Sequence, residues 1–269
     1  MTKIAVTGYE GRIGSELVRR GYEPLVCDIT DFDQTKDAIH SVSPDVIIHC
    51  AAATDVGWCE EHDKEAFGIN VRGTTNLLEA FTGTFIYLST VHVFSGQKFF
   101  KYSEKHQPSP INVYGLTKWS GEVAGKFFAD NSRFIVVRTS RTFDWGFIRG
   151  GIEYLKRNME QDYTTLIKRS FVHTSHFVDG LTWLVDRLDE FPDLELLHLA
   201  GTDMFSYYEF WLQVANILGY DNKLIIPRKH KIKDHPRPFK GGLNVDKAKK
   251  MGVPLFSSID GLKLIKDKV

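Results

Sequence analysis

The chain has 269 residues, of which 42% are hydrophobic and 25% charged, as in a globular protein with one large domain or a domain and a smaller lobe. Its 34 basic and 34 acidic side chains give a formal net charge of zero, which argues against nucleic acid or an anionic membrane as the main partner. No apolar run approaches the length of a membrane span, and no signal peptide is expected. The three cysteines lack the spacing of a zinc site, so no metal is expected, and they favour a reducing, cytoplasmic setting.

The N-terminal segment predicts a phosphate-binding turn. Residues 3–7 form a short apolar run typical of a buried strand, and a G-x-x-G-x-x-G loop over 8–14 leads into a helical stretch at 15–20. Glycines let the backbone approach a pyrophosphate, and a helix N-terminus offers free N–H groups. The alternative is a glycine-rich turn without a ligand. The cofactor-binding candidates here are Gly8, Gly11, Arg12, Ile13 and Gly14.

Strand and helix patterns alternate along the chain. The further predicted strands are 23–27, a turn and strand within 44–53, 85–90, 134–138, a strand near 170 and 194–201. The predicted helices are 34–42, 60–81, 170–188 and 207–218. This order indicates an α/β fold with a doubly wound parallel sheet (Rossmann) and a smaller, interleaved C-terminal substrate lobe. We expect residues 1–145 plus about 170–200 to bind the nucleotide, and about 146–169 and 201–269 to form the lobe.

Polar and small residues follow several predicted strands. Asp28 ends the second strand 20 positions beyond Gly8, where an acid commonly meets the adenosine ribose. The run Ala51-Ala52-Ala53-Thr54 ends the third strand, and Ser89-Thr90 ends the fourth. Ligands of doubly wound sheets bind beyond the carboxyl ends of the strands, so these positions are predicted to converge on one site.

Tyr114 and Lys118 are the predicted proton-transfer pair. A lysine four residues after a tyrosine lies on the same helix face, and its charge favours the phenolate of a group whose pKa is ordinarily about 10. Such a pair suits the interconversion of a carbonyl and an alcohol. By itself the spacing is equally compatible with an exposed helix face.

Together these motifs resemble the extended short-chain dehydrogenases/reductases, and specifically the dTDP-4-dehydrorhamnose reductase family. The resemblance extends over almost the whole chain. The segments that carry it are 8–14, 28–31, 44–54, Asn70, 89–96, 112–118, 138–140, 206–210 and 237–247.

The resemblance implies roles for individual residues. Tyr114 would protonate the carbonyl oxygen, Lys118 would lower the tyrosine pKa and hold the nicotinamide ribose, and Thr90 would orient the substrate oxygen. Thr90 could instead cap its own backbone. The cofactor would contact Asp28, Ile29, Ala51, Ala52 and Ala53 besides the glycine loop, Tyr114 and Lys118. The substrate would contact Thr54, His92, Arg141 and Arg237. Asn70 would stabilise the site by tying a helix to a strand, without contacting the ligand itself.

The implied activity is NADP(H)-dependent reduction of a nucleotide-linked 4-keto-6-deoxy sugar, a step of dTDP-rhamnose biosynthesis. Compared with relatives, the loop before Asp28 is short, so Asp28 matches the family's adenine contact better than its ribose contact. If no acid holds the ribose 2′-hydroxyl, a 2′-phosphate is not repelled and could pair with Arg12, which favours NADP(H), although NAD(H) is possible and Arg12 could be a surface residue. The alternatives are a non-catalytic regulatory subunit of the same family and a nucleotide-sugar epimerase or dehydratase. Some relatives form dimers, so a homodimer is possible.

Three positions depart from the family pattern. Val91 and His92 stand where relatives carry an acid and a tyrosine, and Arg141 stands where they carry a tryptophan. These changes alter the substrate pocket that the resemblance implies, although His92 could simply be a structural histidine at a strand end. Residues 228–240 hold six Lys or Arg against one Asp, as a solvated loop or a diphosphate grip would, and Arg237 matches the family's Arg-Pro.

Overall fold

The computed structural model describes residues 2–97, 101–128, 132–228 and 235–266. In chain order the strands are β1 Ile4–Thr7, β2 Glu23–Pro24, β3 Val46–His49, β4 Thr84–Thr90, β5 Arg133–Thr139, β6 Arg141–Phe143, β7 Gln161–Thr164, β8 Lys168–Arg169, β9 Phe171–His173, β10 Leu194–His198, β11 Phe205–Ser206, β12 Ile225–Arg228 and β13 Lys240–Gly241. The α-helices are α1 Arg12–Arg19, α2 Phe32–Val42, α3 Val56–Glu61, α4 Asp63–Phe67, α5 Gly73–Ala80, α6 Val113–Phe128, α7 Trp145–Lys156, α8 Thr174–Val185, α9 Tyr207–Leu218, α10 Asp246–Met251 and α11 Ser258–Lys266.

The chain divides into two compact units. The first unit comprises Met1–Phe94, Gln107–Arg138 and Leu184–Leu197, and the second comprises Ser95–His106, Thr139–Trp183 and His198–Val269. None of the described helices has the length and apolar character needed to cross a membrane.

The first unit is built on a six-stranded parallel sheet in the order β10-β5-β4-β3-β1-β2. β1 pairs in parallel with β2 on one side and with β3 on the other, and β3 pairs with β4. The chain therefore reverses its direction of winding between β1 and β3, which confirms the predicted doubly wound sheet. The loops after β1 and β3 emerge side by side at this switch point.

Buried aromatic and aliphatic side chains fix the strands of the first unit. Ile47, Phe85, Tyr87 and Phe134 are fully buried in one cluster. The central residues of β1, β3, β4 and β5 are mainly apolar, as expected for a parallel sheet with helices on both faces. α2 begins where the Asp31 side chain accepts a hydrogen bond from the backbone N–H of Gln34.

The second unit contains three small sheets and its own aromatic core. The sheets are β11-β8-β13, the parallel pair β7 and β12, and the parallel pair β6 and β9. Phe171 stacks on Phe210 at 4.1 Å between ring centroids, and Tyr163 stacks on Trp211 at 4.8 Å. α9 has the predicted bounds because Ser206 and Glu209 form a reciprocal capping box at its start.

The structure differs from the sequence predictions at several boundaries. β2 ends at Pro24 instead of residue 27, although Leu25 still donates to the carbonyl of Val6. The predicted helix 60–81 is divided into shorter helices with a π-helical turn at Gly68–Arg72. Residues 171–173 of the predicted helix 170–188 form β9.

The observed units also differ from the predicted division. Residues 139–183 belong to the second unit, whereas the prediction placed only 146–169 of this stretch there. The reason is that β9 pairs with β6 instead of joining the six-stranded sheet. Of the basic stretch 228–240, residues 229–234 lie outside the described residues.

Candidate active site

The glycine loop packs directly against the chain that follows β3. Gly8 has a φ of +63°, and a Cβ at this position would lie 2.6 Å from the backbone nitrogen of Ala51. A Cβ on Gly14 would lie 2.2 Å from the carbonyl oxygen of Gly8, which itself accepts from the N–H of Gly11. Only glycine fits at 8 and 14, so this turn exposes backbone without side chains.

The loop ends at an uncapped helix. Gly11 is the N-cap of α1 and provides no side-chain hydrogen bond to the first turn. Arg12, which is exposed, and Ile13, which is half-buried, are the first two residues of α1. A bare glycine turn before a helix N-terminus fits the pyrophosphate of a dinucleotide, because backbone N–H groups and the helix dipole favour an anion there.

A buried polar chain fixes the backbone after β3. The Thr7 hydroxyl oxygen accepts from the N–H groups of Cys50 and Ala51, both at 3.2 Å, and lies 2.7 Å from Nδ1 of His49. The Thr74 hydroxyl donates to a carbonyl and therefore accepts from Nε2 of His49 at 3.1 Å. Burial, and secondarily the charge of Lys118, holds the pKa of His49 well below its ordinary value, so this ring is neutral.

Asn70 joins the same loop to α6. Its Oδ1 accepts from the N–H of Ala53 at 2.8 Å, and its Nδ2 donates to the carbonyl of Ala53 and the hydroxyl of Thr117, both at 2.9 Å. Thr117 precedes Lys118 on α6. The fully buried Asn70 thus aligns the predicted nucleotide-binding segment with the helix that carries the Tyr–Lys pair.

The remaining predicted nucleotide contacts occupy different environments. Asp28 is exposed, and its Oδ1 accepts from the N–H and the hydroxyl of Thr30. Ile29 is 8% exposed and packs in the hydrophobic core, where its carbonyl accepts from Asn76. Ala52 is half-buried and Thr54 is exposed.

Lys118 is buried one helical turn beyond Tyr114 on α6. It is 2% exposed, and its ammonium nitrogen lies 4.0 Å from the centre of the Tyr87 ring. Burial lowers the pKa of Lys118 from 10.5 to about 7, against the opposing effect of the Glu122 carboxylate. Tyr114 itself is half-buried.

Thr90, His92 and Tyr114 are brought together where β4 meets α6. The Thr90 hydroxyl oxygen accepts from the backbone N–H of His92 at 3.2 Å, which leaves its proton to be donated elsewhere. The His92 ring meets the Tyr114 ring edge-on, with 5.4 Å between centroids. A Cβ on Gly115 would lie 2.1 Å from the carbonyl oxygen of His92, so glycine permits this approach.

Asn112 determines the tautomer of His92. Oδ1 of Asn112 accepts from the N–H of Gly115 at 2.7 Å, so the opposite amide atom is the nitrogen donor. This Nδ2 lies 3.1 Å from Nδ1 of His92, which must accept. Neutral His92 therefore carries its proton on Nε2.

A buried ion pair supports the same corner and was not anticipated from the sequence. Arg138 donates through Nε and Nη2 to the two carboxylate oxygens of Glu122, at 2.8 and 2.5 Å, and Ser89 donates to Oε1 at 2.5 Å. Both charged side chains are 3% exposed. The only sequence signal for this ion pair is the presence of charged residues within otherwise buried segments.

Two predicted substrate contacts lie in the second unit. Arg141 is on β6, and its guanidinium lies 4.6 Å from the centre of the Phe147 ring. Arg237 precedes Pro238, which is buried. The predicted site residues that belong to the first unit are the glycine loop, Ala51–Ala53, Thr90, His92, Tyr114 and Lys118. Arg141 and Arg237 belong to the second unit.

A doubly wound sheet with a glycine turn at its switch point and a Tyr–Lys pair beside a strand-end threonine defines the short-chain dehydrogenase/reductase class of oxidoreductases. Within it, the family model described as RmlD substrate binding domain matches residues 1–264, and the chain belongs to this family. This confirms the predicted family and its reductase class.

Curated relatives extend over most of the chain. The dTDP-4-keto-6-deoxy-D-glucose reductase of Streptomyces niveus is 33% identical over 82% of this chain and 81% of its own length. The dTDP-4-dehydrorhamnose reductase of Streptomyces griseus is 31% identical over 76% of this chain and 68% of its own.

Among solved structures, a dTDP-4-dehydrorhamnose reductase from Bacillus anthracis, in complex with NADP, is similar with a TM-score of 0.88. It is 24% identical and covers 100% of both chains, which supports the fold.

Proposed function

We propose that this protein reduces a nucleotide-linked 4-keto-6-deoxy sugar with NADP(H), as the dTDP-4-dehydrorhamnose reductases it resembles do. The observation that carries the proposal is the junction of β4 and α6. There the Tyr114 ring packs against the His92 ring, and the Thr90 hydroxyl accepts from the N–H of His92 and keeps a free proton. Lys118 is buried one helical turn beyond Tyr114. Such a junction suits proton transfer to a carbonyl oxygen.

The groups of this chain have distinct tasks in the proposed reaction. Gly8, Gly11, Gly14 and the first turn of α1 would hold the cofactor, which when bound supplies the hydride that reduces the carbonyl carbon. Tyr114 donates its phenolic proton to the carbonyl oxygen, and the Thr90 hydroxyl donates a hydrogen bond that orients it. The positive charge of Lys118 stabilises the phenolate that remains.

The substrate sugar would contact Thr54, His92 and Arg141, and its diphosphate would contact Arg237. His92 would present Nε2–H, since Asn112 engages Nδ1. An N–H donor replaces the tyrosine hydroxyl of the family pattern at this position. We therefore propose that His92 binds a sugar oxygen that acts as an acceptor.

Turnover provides the direct test. NADPH oxidation is followed at 340 nm with dTDP-4-keto-6-deoxyglucose, in the wild type and in Tyr114→Phe. We expect turnover in the wild type and about a 100-fold or greater loss in the variant, with NADPH binding unchanged. Tyr154→Phe, on the exposed face of α7, is the matched control and should behave as wild type. Full activity of Tyr114→Phe would refute the assigned role.

The preference for NADP(H) is tested by titrating both reduced cofactors. Arg12, the first residue of α1, can place its guanidinium at a 2′-phosphate, and the exposed Asp28 has one carboxylate oxygen engaged by Thr30. Arg12→Ala should weaken NADPH binding about tenfold and leave NADH binding unchanged. Tighter binding of NADH than of NADPH by the wild type would contradict the preference.

A regulatory role is the second candidate, because methionine adenosyltransferase 2 subunit beta of Danio rerio is 33% identical over 45% of this chain. A regulatory subunit would bind nucleotide without consuming it. An epimerase or dehydratase would convert the sugar without net oxidation of NADPH. Measuring sugar conversion and NADPH consumption in one reaction separates the three functions. Light scattering of the purified protein distinguishes a monomer from the homodimer that some relatives form.

A further inference from the structure

His49 is a fully buried histidine that the proposed reaction does not use. It ends β3, and its ring lies 5.6 and 5.7 Å, between centroids, from the rings of Phe85 and Tyr87. Burying a polar ring among aromatic side chains is costly unless its nitrogens are hydrogen-bonded. Both nitrogens have threonine partners, which are Thr7 on β1 and Thr74 on α5.

The two ends of this hydrogen-bonded chain independently require the same tautomer of the ring. Thr7 accepts from the backbone N–H groups of the two residues that follow His49, so its own proton must go to Nδ1 of His49. The Thr74 hydroxyl donates to the carbonyl of Asn70 at 2.7 Å, so its oxygen accepts from Nε2–H of His49. Every donor in the chain therefore points in one direction, from the backbone after β3 toward α5.

The backbone that Thr7 holds borders the glycine loop. A Cβ on Gly8 would lie 2.6 Å from the nitrogen of Ala51 and 2.7 Å from its Cα, so the two backbones are in contact. A displacement of Ala51 would therefore also displace the turn that is predicted to receive the pyrophosphate. At the other end of the chain, the Asn70 side chain binds the N–H and the carbonyl of Ala53. The hydrogen bonds of His49 thus connect two anchors of the same predicted nucleotide-binding segment.

We propose that His49 is a positioning residue for the dinucleotide, which accepts the proton of Thr7 and so holds residues 50–51 against the glycine loop. Without an acceptor at the position of Nδ1, Thr7 would carry a buried donor that has no partner. Rotation of Thr7 about χ1 would relieve this cost and would withdraw its oxygen from the two backbone N–H groups. That the ligand is NADP(H) rests on the proposed function.

Two amide substitutions separate the contact with Thr7 from the contact with Thr74. In His49→Asn, Oδ1 replaces Nδ1 of the ring and keeps an acceptor for Thr7. In His49→Gln, the longer amide brings its nitrogen to the position of Nε2 and keeps the donor to Thr74. Each variant loses one of the two hydrogen bonds, so urea unfolding should show similar destabilisation of both. A titration followed by nicotinamide fluorescence should give an NADPH Kd within about twofold of the wild type for His49→Asn and about tenfold higher for His49→Gln.

Thr7→Val tests the same contact from the other side. It should raise the NADPH Kd about tenfold. The double variant with His49→Gln should bind no more weakly than Thr7→Val alone, because the hydroxyl that His49 orients is already absent. Thr174→Val is the control, since this threonine is also buried and its hydroxyl donates to the Phe143 carbonyl within the second unit. It should leave NADPH binding unchanged.

Nitrogen-15 spectra of the imidazole side chains provide a measurement that needs no cofactor. The resonances that are missing from His49→Asn belong to His49. They should show a neutral ring with the proton on Nε2 even at pH 6, because burial holds the pKa of His49 well below its ordinary value of 6.5. A charged ring, or a proton on Nδ1, would overturn the proposal.

The outcomes separate this proposal from the reductase proposal. NADPH binding that weakens in His49→Gln and not in His49→Asn, without sugar turnover, supports the positioning role and rejects the reductase. Turnover together with an NADPH affinity that is the same in every variant supports the reductase and rejects the positioning role. Equal loss of affinity in the two amide variants also rejects it. Absence of NADPH binding by the wild type rejects both proposals.

Discussion

Replacing Lys118 with methionine should stabilise the nucleotide-free protein while abolishing turnover. Lys118 is 2% exposed, and its pKa falls from 10.5 to about 7 in the folded chain. Such a change corresponds to about 5 kcal/mol of destabilisation at a pH below both values. Methionine has a similar length and no charge. Loss of the contact with the Tyr87 ring opposes the gain by about 1–2 kcal/mol, so we expect a net gain of about 3 kcal/mol at pH 6.

The sign of the pH dependence follows from proton binding. Between pH 7 and 10.5 the unfolded chain keeps the proton of Lys118 while the folded chain loses it. The stability of the wild type should therefore rise with pH across this window, by up to about 1.4 kcal/mol per pH unit from this group. Below pH 7 the full cost of the buried charge is present. The Lys118→Met variant lacks this contribution, so the two proteins should converge in stability as the pH approaches 10.

Thermal and urea unfolding of both proteins at pH 6, 8 and 9.5 provides the measurement. At pH 6 the variant should melt about 6 °C or more above the wild type. Lys156→Met, at a side chain that is 40% exposed, should change stability by less than about 0.5 kcal/mol at every pH. A variant that is no more stable than the wild type at pH 6, or that keeps the same pH dependence, would refute the reasoning.

Two further substitutions test the junction of β4 and α6. Gly115→Ala should lower turnover about 100-fold and destabilise the protein, because its Cβ would lie 2.1 Å from the His92 carbonyl oxygen. The control is Gly150→Ala, in open space on α7, which should be neutral or stabilising by up to about 1 kcal/mol. Glu122→Gln should cost about 3 kcal/mol in urea unfolding, because it leaves the buried charge of Arg138 without its carboxylate. Glu122→Gln also removes the carboxylate that raises the pKa of Lys118, so the pH optimum of turnover should move to lower pH. An unchanged optimum would contradict this electrostatic coupling between Glu122 and Lys118.

The elements that could be predicted are those with local signals. α9 has its predicted bounds because the Ser206–Glu209 capping box is contained in four consecutive residues. The glycine loop and α2 likewise carry their own turn and cap residues. A strand near residue 170 was expected, but its pairing with β6 could not be predicted, because this pairing depends on residues about 30 positions away. The end of β2 was also missed, since an apolar run does not show where strand pairing stops.

The site shows the same division between local and distant signals. Tyr114 and Lys118 are recognisable from their spacing on one helix. The polar partners that hold them are not, because each joins distant parts of the chain, as in the hydrogen bond from Asn70 to Thr117 and the pair of Glu122 with Arg138.

Among the departures from the family pattern, His92 contacts the Tyr–Lys pair directly, because its ring meets the Tyr114 ring edge-on. Tyr114 and Lys118 are placed by α6, which is anchored through Asn70 and through the absent side chain of Gly115. Val91 is fully buried, where an unpaired carboxylate would be costly to desolvate. His92 also accepts a hydrogen bond from Asn112, whose Oδ1 accepts from the N–H of Gly115, so its side chain helps to hold the start of α6. We therefore expect a substitution of His92 to affect the placement of Tyr114 as well as the binding of the sugar.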